Sequence, residues 1–346
     1  MNSGKLSPIV KIAAGACLVL AAWIVFDLSH WWATIQDYSF GYLAPIFSGY
    51  VIYDRWPRIA AFFGAKKPDG EKEGQSVAAL WLGRVATVGL IWFSLCFAFG
   101  LVYRAFTGVS VPGSFIMTVS FAGIVLLSAL AFSDRRADGS YFTALERWGF
   151  MCLFLFPALV WIISAPLMSI YEGMISEFLL DKVTAVVFTV FDSLGFVIER
   201  RGNVLVLPNG SVGVEEACSG IRSLTGCLFA GSFLAAVFLD RFWKKITMIA
   251  AALVLAFCTN IIRGMVLTGI AYEKGSAAIE GTVHDVTGYA VLGVTVVLLL
   301  CLIPVFNYKL PQLDEIKEDD SATSDDVGDE TDGGAGNDGN AEDDKA

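Results

Sequence analysis

The chain has 346 residues, of which 55% are apolar and only 17% charged, with a mean hydropathy of +0.63. That balance excludes a water-soluble globular domain and reads as an all-α polytopic membrane protein. The formal charge of −10 belongs to one end: residues 312–346 hold 14 acidic residues and two lysines, a net of −12, which leaves about +2 for residues 1–311.

A bilayer needs about 20 consecutive apolar residues per helix. Taken in order, residues 9–26, 40–53, 77–102, 114–132, 148–168, 218–239, 246–270 and 286–306 are candidate spans, about eight in all. The 40–53 stretch is the shortest of them. Residues 312–346 have almost nothing to bury, so they form a disordered acidic tail distinct from the membrane domain, 1–311.

Loop charge orients the set. Residues 54–76 hold Arg55, Arg58, Lys66, Lys67 and Lys72, residues 133–147 hold Arg135, Arg136 and Arg147, and residues 240–245 hold Arg241, Lys244 and Lys245. The alternate loops are poor in Lys and Arg, so the rich loops face the cytoplasm and both termini lie inside. The long segment 169–217 is then external. Its first part has apolar residues at helical spacing (Met174, Phe178, Val183, Val187, Phe191, Leu194), which predicts an amphipathic surface helix. Two β-prone runs, 203–207 and 211–214, flank Pro208-Asn209-Gly210 and predict a hairpin that leads the chain to Cys218.

Glu215-Glu216-Ala217-Cys218-Ser219-Gly220-Ile221-Arg222 is the stretch where chemistry is expected. Six of the seven cysteines lie inside apolar runs, where cysteine acts as a small hydrophobe; Cys218 alone stands at a boundary. At the start of a helix its thiol feels the positive end of the macrodipole, which favours the nucleophilic thiolate. Arg222 is four residues on, hence on the same helical face. Asn260 and Arg263 share a face of the seventh span, and a cation there is costly unless it works or is paired. His284 stands at the outer end of the eighth span, on the same membrane side as Cys218, where a base for the thiol is required. A nucleophile, a base and a fixed cation thus fall on the last three spans. No spacing of the CxxC or HExxH kind is present, so neither a metal nor another cofactor is expected.

These residues resemble the exosortase/archaeosortase family. The resemblance rests on Ala217-Cys218-Ser219-Gly220-Ile221-Arg222-Ser223, on Asn260-x-x-Arg263, on His284 with Gly288 behind it, and on Asp37-Tyr38-Ser39-Phe40-Gly41-Tyr42-Leu43-Ala44-Pro45 near the N-terminus. Phe40 stands where that last element has a histidine in relatives, and a histidine at 284 is closer to the bacterial branch. The resemblance implies a multi-pass inner-membrane cysteine protease or transpeptidase that cuts C-terminal sorting signals of exported proteins, PEP-type in many relatives, on the external face. It also implies transfer to a lipid- or glycan-linked acceptor. In that scheme Cys218 attacks, Arg263 stabilises charge and His284 moves the proton, with Arg222, Asn260 and Ser219 in support. The expected partners are these signals and the bilayer, with no nucleic acid. A transporter or scaffold for envelope polysaccharide export is the competing reading. It would favour Gly- or Pro-broken helices in matching halves, which the sequence lacks.

The orientation has a direct test. A reporter fused after Leu239 is expected to read cytoplasmic and one placed within 272–283 external; two cytoplasmic readings would put Cys218 and His284 on opposite sides of the membrane.

Overall fold

The computed structural model describes residues 8–65, 76–136, 138–213, 221–279 and 281–308, with the backbone alone at 222, 284 and 285. The chain divides into a body, Met1–Phe306, and a remainder, Asn307–Ala346; the acidic tail lies outside the described residues. Among the described residues five helices are long and apolar enough to cross a membrane: α1 (Pro8–Thr34), α4 (Val77–Thr107), α5 (Val111–Ala131), α10 (Phe242–Lys274) and α11 (Thr282–Asn307). A sixth arises if α6 (Ala144–Cys152) and α7 (Leu155–Ser164) are one span bent by 43°. The architecture is that of an all-α polytopic membrane protein.

Two of the eight expected spans are shorter helices among the described residues. In place of 40–53 the chain forms a 3-10 segment, Gln36–Tyr42, and then α2 (Leu43–Asp54), whose 12 residues rise about 18 Å. The described part of the 218–239 span is α9 (Ile221–Phe238), 18 residues and about 27 Å long. The break within 148–168 comes from Pro157. Its missing N–H leaves the carbonyl of Leu153, four residues earlier, without its helical donor. Arg55, at the end of α2, fills the vacancy by donating to Leu153 O, and its other amino group donates to Ala236 O of α9 at 3.4 Å. One arginine therefore stabilises the bend and ties three elements together.

The first helix buries Ile24, Leu28 and Trp32 at four-residue spacing. Asp27 on the same side is fully buried and paired with Arg104 of α4. A carboxylate taken out of water is tolerable only with such a partner. Trp32 Nε1 donates to Ser164 O at 2.8 Å, and the indole lies directly over Gly41, where any Cβ would collide with the ring. Phe40 packs on Phe229 of α9 with ring centroids 5.0 Å apart. Phe40 is thus half-buried against the apolar core.

One end of the bundle carries the segment expected to be external. α8 (Ser169–Ser193) buries Leu180, Val183, Val187 and Phe191 but leaves Met174, Phe178 and Leu194 exposed, so only half of the anticipated apolar face is the packed one. The hairpin is a three-stranded antiparallel sheet, β1 (Glu199–Arg201), β2 (Val204–Leu207) and β3 (Gly210–Gly213), with Arg200 opposite Leu205 and Leu205 opposite Val212. β1 was hidden in the sequence because Glu-Arg-Arg has no strand pattern; it is held by ladder pairing and by Arg200 donating to Asp181 of α8 at 2.6 Å. Leu205, Leu207 and Val212 pack on α8 and on Leu267 and Ala271 of α10. Asn209 Nδ2 donates to Tyr272 O at 3.0 Å, which fixes the hairpin turn to that helix.

Gly41→Ala is expected to cost about 1–3 kcal/mol, since the indole must move and its bond to Ser164 must lengthen. A lowered melting temperature of the purified protein in detergent checks this; an unchanged one would mean that Trp32 has room to move.

Candidate active site

The buried stripe of α10 runs from Met248 through the small residues Ala252 and Ala256 and turns polar at Thr259, Asn260 and Arg263. Asn260 is 2% exposed and Arg263 7%. Their i, i+3 spacing puts both on one face, as the sequence implied. The Arg263 guanidinium rests against the Cα side of Gly288 on α11: a Cβ there would lie 3.5 Å from one amino nitrogen and 3.6 Å from the central carbon. Glycine leaves the room in which the planar group sits. One turn below, Thr259 and Thr295 share a hydrogen bond of 2.9 Å between the same two helices.

The height of this site follows from helix register. α9 and α10 are antiparallel and abut where Gly231 meets Ala252. Stepping about ten residues toward the hairpin end on each brings Ile221 level with Ile262 and Arg263. α11 runs parallel to α9, with Gly226 against Leu292; the same stepping sets the backbone of Arg222 level with Gly288. The first turn of α9, Arg263 and Gly288 therefore share one layer. α10 continues to Lys274, about 16 Å or three turns beyond Arg263. Leu267 and Ala271, on the rod above it, carry the sheet.

Of the sequence candidates, Arg263 and Asn260 are brought together in this layer. His284 is in the first turn of α11, four residues before Gly288, so its backbone occupies the same helix face toward the hairpin end. Arg222 is the second residue of α9. Cys218 and Ser219 lie outside the described residues, three and two positions before Ile221. Among the described residues no group of three His, Cys, Asp or Glu could hold a metal ion.

The N-terminal element adjoins this layer, which the sequence did not reveal. Gln36 Nε2 donates to the hydroxyl of Tyr289, the residue after Gly288, at 3.0 Å. Tyr38 is buried and its hydroxyl accepts the Leu167 N–H at 3.0 Å; burial pushes its pKa up to about 12. Next to it, Glu172 of α8 is raised above the usual glutamate range, first by burial and then by the negative charge of Asp37. In the sequence, Asp37 and Tyr38 stand out only as part of the 37–45 stretch on which the resemblance rests.

A family model described as transmembrane exosortase matches residues 31–301. The chain belongs to the transmembrane exosortase family. The match includes the N-terminal element, the Cys218 segment, Arg263 and His284, and it stops short of the acidic tail. No curated protein and no solved structure matches the chain. Within this exosortase the N-terminal element and the layer around Arg263 are physically joined through the Gln36–Tyr289 bond, although more than 250 residues separate them in sequence.

Glu172 gives a pH test. Its folded-state pKa is raised, so the stability of the protonated form is fully present below the unfolded value and is lost as pH rises through the folded one. Glu172→Gln should therefore raise the melting temperature near about pH 8 and leave it unchanged near about pH 4. An equal shift at both would assign the effect to packing.

Proposed function

We propose that this exosortase is a membrane-embedded cysteine transpeptidase that cleaves C-terminal sorting signals of exported proteins and passes them to a lipid- or glycan-linked acceptor. The observation that carries the reading is the seat of Arg263: its guanidinium rests on the helix face that bears position 284, at the level where α9 begins three residues after Cys218. The charge bias of the loops supports an external site, cytoplasmic termini and an inner-membrane location.

In this mechanism the Cys218 thiolate attacks the scissile carbonyl, and the negative charge moves to the carbonyl oxygen. Arg263, fixed and largely dehydrated, is suited to stabilise that charge, because a cation in a low-dielectric layer acts more strongly than in water. Collapse of the intermediate breaks the C–N bond, the leaving amine takes a proton from His284, and a thioester remains. His284 then removes a proton from the acceptor nucleophile, which attacks the thioester and releases the thiolate. Arg222 adds positive potential near the thiol, and Asn260 and Ser219 orient the polar groups around it. Water as the acceptor gives hydrolysis, and an acceptor nucleophile gives transfer.

Co-expression with a protein that bears a sorting signal tests the roles, with the substrate C-terminus read by mass. Cys218→Ser should stop processing while the enzyme still accumulates in the membrane, because a hydroxyl is far less acidic than a thiol. Arg263→Lys keeps the charge but loses the planar fork, and a drop of about 100-fold or more is expected if the oxyanion is held geometrically. Gly288→Leu should be as damaging as Arg263→Ala, since it fills the guanidinium's seat, whereas Gly288→Ala should be tolerated. Near-normal processing by Arg263→Ala would remove the cation from the mechanism.

A further inference from the structure

At the end of the bundle remote from the hairpin, a cavity of about 540 Å³ opens between α2 and α3 (Trp56–Gly64), the α6–α7 break and the α9–α10 turn. Lys245 on its rim is 18 residues from Arg263 along α10, about 27 Å, so this is a second site and no part of the first. The cavity is strongly two-ended. Its rim holds Arg55, Arg58 and Lys245 together with the carboxylates Asp54 and Asp240, a net of one positive charge. Its wall is apolar and runs along α7 from Leu155 to Ile163, about 12 Å by helix rise. Arg55 is buried and spends its donors on Leu153 O and Ala236 O. Arg58 and Lys245 are in no ion pair among the described residues. Exposed Trp56 and Trp243 flank the same rim in sequence, the residue type that collects at the headgroup level of a bilayer.

We propose that this cavity binds one anionic glycerophospholipid, with the phosphate on Arg58 and Lys245 and the upper part of an acyl chain along the α7 wall. Charge and shape both require the two halves of such a molecule. A free anion would leave about 12 Å of apolar wall uncovered, and a bare alkyl chain would leave the two cations unmatched. The volume lies in the range of ordinary ligand sites. The occupant would bridge α3, α7 and α10 next to the Pro157 bend, where Arg55 is already a brace.

The test uses the full chain, delipidated in detergent and titrated with phosphatidylglycerol or phosphatidylcholine, with bound lipid counted by native mass spectrometry. One phosphatidylglycerol per chain should be retained in preference to phosphatidylcholine. Arg58→Gln with Lys245→Gln should weaken that retention by about 30-fold, the loss of two interfacial cations. Asp54→Asn with Asp240→Asn should strengthen it, because the rim then carries three positive charges and no negative ones. This second variant leaves the cations in place, so it tests the idea even if the first one folds poorly. Equal retention of phosphatidylcholine, retention that ignores both variants, or displacement of the lipid by inorganic phosphate alone would each overturn the proposal.

Discussion

A guanidinium inside a helix bundle must find oxygen or a carboxylate there, and in this protein that requirement fixes how the helices meet. Arg104 takes Asp27 and joins α4 to α1. Arg147, only 1% exposed, donates to Ala79 O at 2.8 Å and also to Leu130 O, gathering α4, α5 and α6. Arg55 answers the carbonyl that Pro157 orphans. Each satisfies a backbone or acidic group that would be costly to leave in an apolar surround. Arg263 lies against the Cα face of Gly288 on the neighbouring helix. Arg104, Arg147 and Arg55 thus brace the helices against one another.

The helices that meet near Arg263 are unequal in length. α9 has 18 residues and α10 has 33, yet the two are packed side by side. Among the described residues the longer one overruns the shorter, and its upper turns carry the sheet seated on Leu267 and Ala271.

Much of this was legible in the sequence, because hydropathy and turn chemistry are local. The long spans, the Pro-Asn-Gly turn and the Asn260–Arg263 pair all rest on patterns within a few residues of one another. What escaped depends on distant partners. Pro157 reads as tolerable in an apolar run until Arg55, about 100 residues away, is seen to replace the missing donor. β1 is made of charged residues and exists because β2 offers a ladder. The 40–53 stretch is apolar enough to pass for a span, but Trp32 stacked over Gly41 and the buried Tyr38 hold its start in a 3-10 turn, so only 12 residues remain for the helix. The expectation of a reactive thiol rests on the boundary position of Cys218 in the sequence alone; Cys218 and Ser219 lie outside the described residues, and Arg222 and His284 are placed by backbone only.

The continuity of α10 makes it a ruler. From Phe242 to Lys274 the helix is unbroken, and it carries the cavity rim, the guanidinium and the seat of the sheet at fixed intervals. Substitutions along its free face leave those intervals alone. A single inserted residue between Arg263 and Leu267 would instead lift the sheet by about 1.5 Å and swing it through about 100° relative to the guanidinium. The hairpin would then face a different helix. In this segment chain length is therefore under tighter constraint than side-chain identity, and variation among related enzymes should accumulate as replacements, with gaps and insertions displaced to the loops on either side.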